Sequence, residues 1–162
     1  MAENPILLRE QRYHQIKALL ARLRLDAAAR LVVLVAKDGQ QIAVHGEQGD
    51  LDTTSLASLV AGNVAATGGM AKLIGENEFP TLSHEGERES IHISLIGRVL
   101  LVVVFDERSS LGLVKLRSKQ ISHELATAFS EVERESRAMA ATNSMPFDEI
   151  TDEEIDTLFS QT

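Results

Sequence analysis

The chain has 162 residues, 44% of them hydrophobic and 25% charged, a balance that suits one folded domain and argues against wholesale disorder. Aromatic residues make up 4% and Trp is absent, so the core has to be aliphatic; with no Cys, disulfides, thiolate metal sites and cysteine nucleophiles are excluded. Sixteen Lys and Arg against 24 Asp and Glu, a net charge of −8, argue against nucleic acid or an anionic membrane as the main partner.

Asn4-Pro5 reads as a helix start, a side-chain acceptor followed by a residue pre-set to helical φ. Tyr13, Ile16, Leu20 and Leu23 then form a one-sided apolar stripe, with Arg9, Arg12, Lys17, Arg22 and Arg24 on the solvated remainder. Leu31 to Ala36 is continuously apolar and rich in β-branched residues, which predicts a strand covered on both faces. Asp38-Gly39 supplies a tight hairpin turn, Gln40 to His45 the returning strand, and Gly46 to Leu51 a loop.

Asp52 or Thr53 caps a second helix that continues to about Glu76. Leu56, Leu59, Val60, Asn63, Thr67, Met70 and Ile74 cluster on one side of it. The opposite side carries Ser58, Ala61, Gly62, Ala65, Gly68, Gly69 and Lys72. Glycine costs about 1 kcal/mol in a helix interior relative to alanine. A merely solvated face would carry Glu, Lys and Arg, whereas a small-residue face lets another backbone approach. The expectation is a helix buried on two sides, core and partner; wedging within its own domain is the competing reading.

Pro80 to Ser83 predicts a short edge strand, because proline lacks the ladder donor. Glu85 to Glu89 is a charged turn. Ile91, Ile93 and Leu95 alternate with His92 and Ser94, which predicts a half-covered strand with His92 on its less buried face. After a turn at Gly97-Arg98, Val99 to Phe105 reads as a central strand covered on both sides. Ser109 or Ser110 caps a long helix striped by Val114, Ile121, Leu125, Phe129 and Val132. The order α-β-β-α-β-β-β-α, with hairpin-length connections, predicts an α/β domain of the α+β type: a five-stranded, mainly antiparallel sheet with helices on both faces.

Residues 136–162 hold one basic residue, Arg137, against six acidic ones, so most of the net charge sits in the last sixth of the chain. The expected organisation is a domain over residues 1–135, a flexible linker over 136–146 (small, polar and aperiodic) and an acidic amphipathic tail helix over 147–162. In the tail, Thr151-Asp152-Glu153-Glu154 is a capping box, and Ile150 can staple onto Ile155. Ile155, Leu158 and Phe159 share one face, with Phe147 upstream. A helix of about two turns is marginal alone in water, so it is expected to order in a groove, a partner's or the domain's own.

No phosphate loop, dinucleotide glycine pattern or H-E-x-x-H is present, and the five histidines lack ligand spacing. The carboxylates read as surface charge, so neither an active site, a cofactor nor a metal is expected. No apolar run approaches the roughly 20 residues that cross a bilayer, and the N-terminus has no charged-then-apolar signal pattern. A soluble cytoplasmic protein without membrane insertion is expected.

The element order, the string Asp52-Thr53-Thr54-Ser55-Leu56-Ala57-Ser58-Leu59-Val60-Ala61-Gly62-Asn63, and Gly68-Gly69 through Glu78-Phe79-Pro80 resemble the Roadblock superfamily, more narrowly its bacterial MglB gliding-motility family. Leu101 through Val114 and the Phe147 to Phe159 tail are similar to that family too. The resemblance implies a homodimer that joins sheets edge to edge, aligns two central helices and so forms a platform for a Ras-like small GTPase of the MglA type. It implies GTPase activation by repositioning the GTPase's own catalytic residues rather than by an inserted arginine, a role in cell polarity that points to a cell pole, and a tail that makes a second contact and influences nucleotide exchange. The expected partner-binding residues are Ser58, Ala61, Gly62, Ala65, Gly68, Gly69 and Lys72, with Phe147, Ile150, Ile155, Leu158 and Phe159 from the tail. A non-catalytic Roadblock scaffold shares all these features. A small-ligand sensor is disfavoured by the scarcity of aromatic and convergent polar groups.

Overall fold

Two strands with no polar interruption set the centre of the molecule. The computed structural model describes residues 5–148. In it, β1 (Leu31–Ala36) and β5 (Val99–Phe105) pair antiparallel, Leu31 opposite Val104. Outward from this pair the sheet runs β2 (Gln41–Gly46), β1, β5, β4 (Ser90–Ile96) and β3 (Thr81–Glu85), every neighbour antiparallel. Alternation along β1 and β5 sends residues to two separate cores, as the period of two requires. Val32, Leu34, Leu101 and Val103 meet α1 (Pro5–Asp26) and α3 (Leu111–Asp148), while Val33, Val35, Leu100 and Val102 meet α2 (Thr53–Leu73).

α1 buries Ile16, Leu20 and Leu23; Tyr13, expected on the same stripe, is exposed. The predicted cap Asn4 lies outside the described residues. α3 is capped by Ser110, whose Oγ accepts the Leu113 amide at 3.2 Å, and Ser109 donates to the Ala27 carbonyl. The hairpin turn uses Gly39 at φ +95°, a region that costs glycine little. β2 begins one residue later than expected, beside a register shift at Leu34/Val35, and β3 occupies 81–85 rather than 80–83. Pro80 stays outside β3, yet its carbonyl still accepts the Leu95 amide at 2.8 Å.

Where the sequence predicts a flexible linker over 136–146, α3 continues as helix to Asp148. Ala138, Met139, Ala140 and Ala141 are strong helix formers, and a preformed helix extends at little cost once its nucleus exists. The expected tail residues from Glu149 onward lie outside the described residues.

His92 corrects another expectation. Its side chain is 1% exposed, facing α3, with Nδ1 2.7 Å from Ser83 Oγ and Nε2 3.3 Å from Ser94 Oγ. The alternation was right but the covered face was not: α3 covers His92 and Ser94, whereas Ile91 and Leu95 on the α2 side are only half-buried. Burial first, and the Lys115 charge second, hold the imidazole pKa below its ordinary value. The facing groups are the two serine hydroxyls and Lys115. With the folded pKa depressed, the unfolded chain takes up more protons, so stability falls as pH drops below 6.5 towards the folded value. Thermal midpoints between about pH 7.5 and 5.5 should therefore fall more steeply for the native chain than for His92→Gln. Parallel slopes would show that His92 binds protons equally in the folded and unfolded states.

Candidate functional site

α2 leaves the β2 edge and reaches the β3 edge on the other side of the sheet, so it must lie across one sheet face. Asp52 starts it: its carboxylate accepts the Ser55 amide at 3.1 Å and hydroxyl at 2.6 Å. The Ser55 hydroxyl, and then its amide, hold the Asp52 pKa below the usual carboxylate range. Gly75, at φ +85°, follows its end.

The side of α2 that meets the sheet is made of small residues. Ala57, Val60, Ala61 and Ala71 are buried there with Thr53, and α2 packs mainly on β1 and β2. Alanines let the helix axis come close to the strands. The large residues expected in the core lie elsewhere: Leu59, Met70 and Ile74 are 72%, 58% and 70% exposed, and Leu73 is 87% exposed. Leu56, Asn63 and Thr67 are half-buried. Thr67 satisfies its hydroxyl on its own helix, donating towards the Asn63 and Val64 carbonyls. Asn63 Oδ1 lies 3.1 Å from His84 Nε2, which ties α2 to β3.

The expected partner set divides accordingly. Ser58, Gly62, Ala65, Gly69 and Lys72 share one exposed flank of α2. A Cβ at Gly62, Gly68 or Gly69 would meet nothing within 4 Å, so this side is open rather than wedged within the domain. Gly68 is half-buried at the border, and Ala61 is buried beside Ser58, next to Gly39 of the hairpin turn. Phe147 lies in the last turn of α3; Ile150, Ile155, Leu158 and Phe159 lie outside the described residues.

Reading residue size as depth hid a second exposed strip: Leu59, Ala66 and Leu73, seven apart, with Met70 beside them. Their spacing was the available signal. On the same sheet face, Leu82, Ile91 and Leu95 of β3 and β4 are only half-buried, because α2 sits over the other strands. β3 itself pairs on one side only.

The arginines at turns have separate surroundings. Arg108 forms hydrogen bonds to both Asp106 carboxylate oxygens, with Glu47 3.5 Å away, and these partners raise its pKa further above the ordinary value. Arg98 lies 3.8 Å from Glu133, and Arg88 is exposed in the β3–β4 turn. Among the described residues no group of three His, Cys, Asp or Glu could hold a metal ion, and no helix is long and apolar enough to cross a membrane.

Residues 15–105 match the Roadblock/LC7 domain. The chain is similar in structure to Myxococcus xanthus MglB, with 56% identity over 72% of this chain and 96% of that one and a TM-score of 0.69. It is also similar to the gliding protein MglB of Thermus thermophilus, with 34% identity over 81% and 95% and a TM-score of 0.70. A third, described as MglB with tetrameric arrangement, has 32% identity over 82% and 95% and a TM-score of 0.71. No curated protein matches the chain.

Proposed function

From the premise that the chain belongs to the Roadblock/LC7 family, among its MglB-type members, we propose that it is a homodimeric regulator of a Ras-like GTPase of the MglA type. The carrying observation is the two adjacent exposed strips of α2, one large and apolar, the other small and open. The apolar strip and the half-covered β3–β4 face meet their counterparts in a second copy, with the open β3 edges side by side. The small flank of Ser58, Gly62, Ala65, Gly69 and Lys72 then faces the GTPase, where small side chains admit its backbone. Gly68 borders that flank, and Ala61 supports it from below. The tail, with Phe147, Ile150, Ile155, Leu158 and Phe159, supplies a second contact that influences nucleotide exchange, beyond a domain ending near residue 135. The working location is the cytoplasm, at a cell pole.

The regulator acts as a GTPase-activating protein with no active site of its own, by repositioning the GTPase's catalytic residues. Arg108 is held by two carboxylates, which favours this over an arginine finger from that position. Single-turnover GTP hydrolysis by an MglA-type GTPase, with and without the protein, tests the reading. Acceleration is expected, and binding without acceleration would make the protein a scaffold. A finger supplied in trans contributes on the order of 10³–10⁵ in rate. Arg88→Ala, Arg98→Ala and Arg108→Ala should each keep the stimulated rate within about a hundredfold of the parent, below that range. A larger loss with binding retained would reveal a finger.

A further inference from the structure

On the sheet face opposite α2, the corner between α3 and the β3–β4 edge encloses a cavity of about 420 Å³. Its polar lining comes from Thr81 and Ser94 of the sheet, His92 beneath them, and Lys115, Lys119 and Ser122 of α3. The sheet-facing stripe of α3 is otherwise aliphatic, Val114, Ile121 and Leu125, with Ser118 buried among them next to the cavity's Lys119 in sequence but outside its lining. Ser118 is 1% exposed and its Oγ has no hydrogen-bond partner. A buried hydroxyl without a partner is costly, and an aliphatic side chain would fill the layer better.

The charges point the same way. Arg12, Arg22, Arg30 and Arg108 all pair with carboxylates, as expected in a chain with 24 acidic residues. Lys115 and Lys119 stand one turn apart over the cavity, and no carboxylate among the described residues lies within ion-pair distance of either. Like charges at this spacing oppose the helix. Two ammonium groups with no anion of their own thus stand over a cavity that also offers the Thr81 and Ser94 hydroxyls, while the Ser122 hydroxyl donates to the Ser118 carbonyl and both ring nitrogens of His92 are engaged by Ser83 and Ser94. Lysine is suited to phosphate as a compact point charge, and the volume falls within the usual range for small-ligand pockets, about 300–1,000 Å³.

We infer that this cavity binds a small phosphate-bearing anion. The site lies on the sheet face opposite α2, but its Thr81 belongs to the β3 edge that the proposed dimer sets beside a second copy, so sedimentation of the same sample records the oligomeric state alongside the titration. The phosphoryl group can be free or part of a nucleotide, so the titration has two arms, inorganic pyrophosphate and a nucleoside diphosphate, each added to the full-length protein. Amide and side-chain NMR shifts should move saturably at Thr81, His92, Ser94 and Ser122 in at least one arm. Tighter binding of the nucleotide would identify a nucleotide ligand; equal affinity would identify the phosphoryl group alone. Lys115→Met and Lys119→Met should each weaken binding by about tenfold, since each removes one charge-assisted contact. Both side chains are exposed, so the folded state should survive, and Thr81→Val gives a third, uncharged probe. Shifts that fail to saturate in either arm, or binding that the lysine variants retain in full, would overturn the assignment.

Discussion

Gly69→Arg should abolish binding of the GTPase while leaving the protein folded and dimeric. The exposed position of Gly69 on α2 makes the two effects separable. A Cβ there meets nothing within 4 Å, so the arginine has room in the unbound protein. Arginine is also a better helix former than glycine, by somewhat under 1 kcal/mol, so the isolated chain should gain rather than lose stability. In the complex the same side chain prevents close approach and carries a charge with no prepared partner into a desolvated contact. Such insertions cost several kcal/mol, and a loss of at least about a hundredfold in affinity is expected. Ala65→Arg, one turn away on the same flank, should behave alike. Calorimetric titration of the GTP-loaded partner checks both. Unchanged affinity would place the GTPase surface elsewhere, and loss of the folded state would mean that this flank packs within the domain.

How far the sequence was legible depended on whether one physical signal spoke alone. β1 and β5 were legible to the residue because a continuous β-branched run has only one favourable environment, a strand covered on both faces. The start of α2 was legible to within one residue, Asp52 or Thr53, since a capping side chain is a local device that needs no tertiary context. The orientation of α2 was not. Its two sides are both apolar, one large and one small, and hydrophobic periodicity cannot rank them. Ala57, Ala61 and Ala71 face the sheet because the helix can sit lower on them, which leaves Leu59, Met70 and Leu73 for another surface.

His92 and the end of α3 were missed for different reasons. Alternation placed His92 opposite Ile91 and Ile93 correctly, but which face α3 would cover is a long-range fact about the sheet edge. Over residues 136–146, smallness and lack of period suggested a linker, while the alanines favoured helix; propensity prevailed because α3 was already nucleated. The open small-residue flank of α2 was legible in outline through its glycines. The cavity under α3 gave only scattered signs, a histidine, serines and two lysines on separate elements that the fold brings together.

The double substitution Leu59→Asp with Leu73→Asp should convert the dimer to a monomer at micromolar concentration. Both side chains are largely exposed in the single chain, and with Ala66 between them they form one strip at heptad spacing, where a small central residue lets two helices approach. In a two-fold interface the same strip comes from both copies, so each substitution acts twice. Fully burying a leucine contributes about 1.5–3 kcal/mol, and four are lost per dimer. The aspartates add desolvated like charges across the axis. Together these effects should weaken association by well over a thousandfold, on the order of 4 kcal/mol or more. Secondary structure should persist, because neither leucine belongs to the buried core, but the thermal midpoint should fall as Leu82, Ile91 and Leu95 lose their cover. Leu116→Asp is the control: Leu116 is 50% exposed on α3, beyond the sheet from this strip, and its loss should leave the dimer intact. Sedimentation separates the cases. A double variant that remains dimeric while Leu116→Asp dissociates would move the interface to the α3 side of the sheet, and would leave the apolar strip of α2 as part of the GTPase platform.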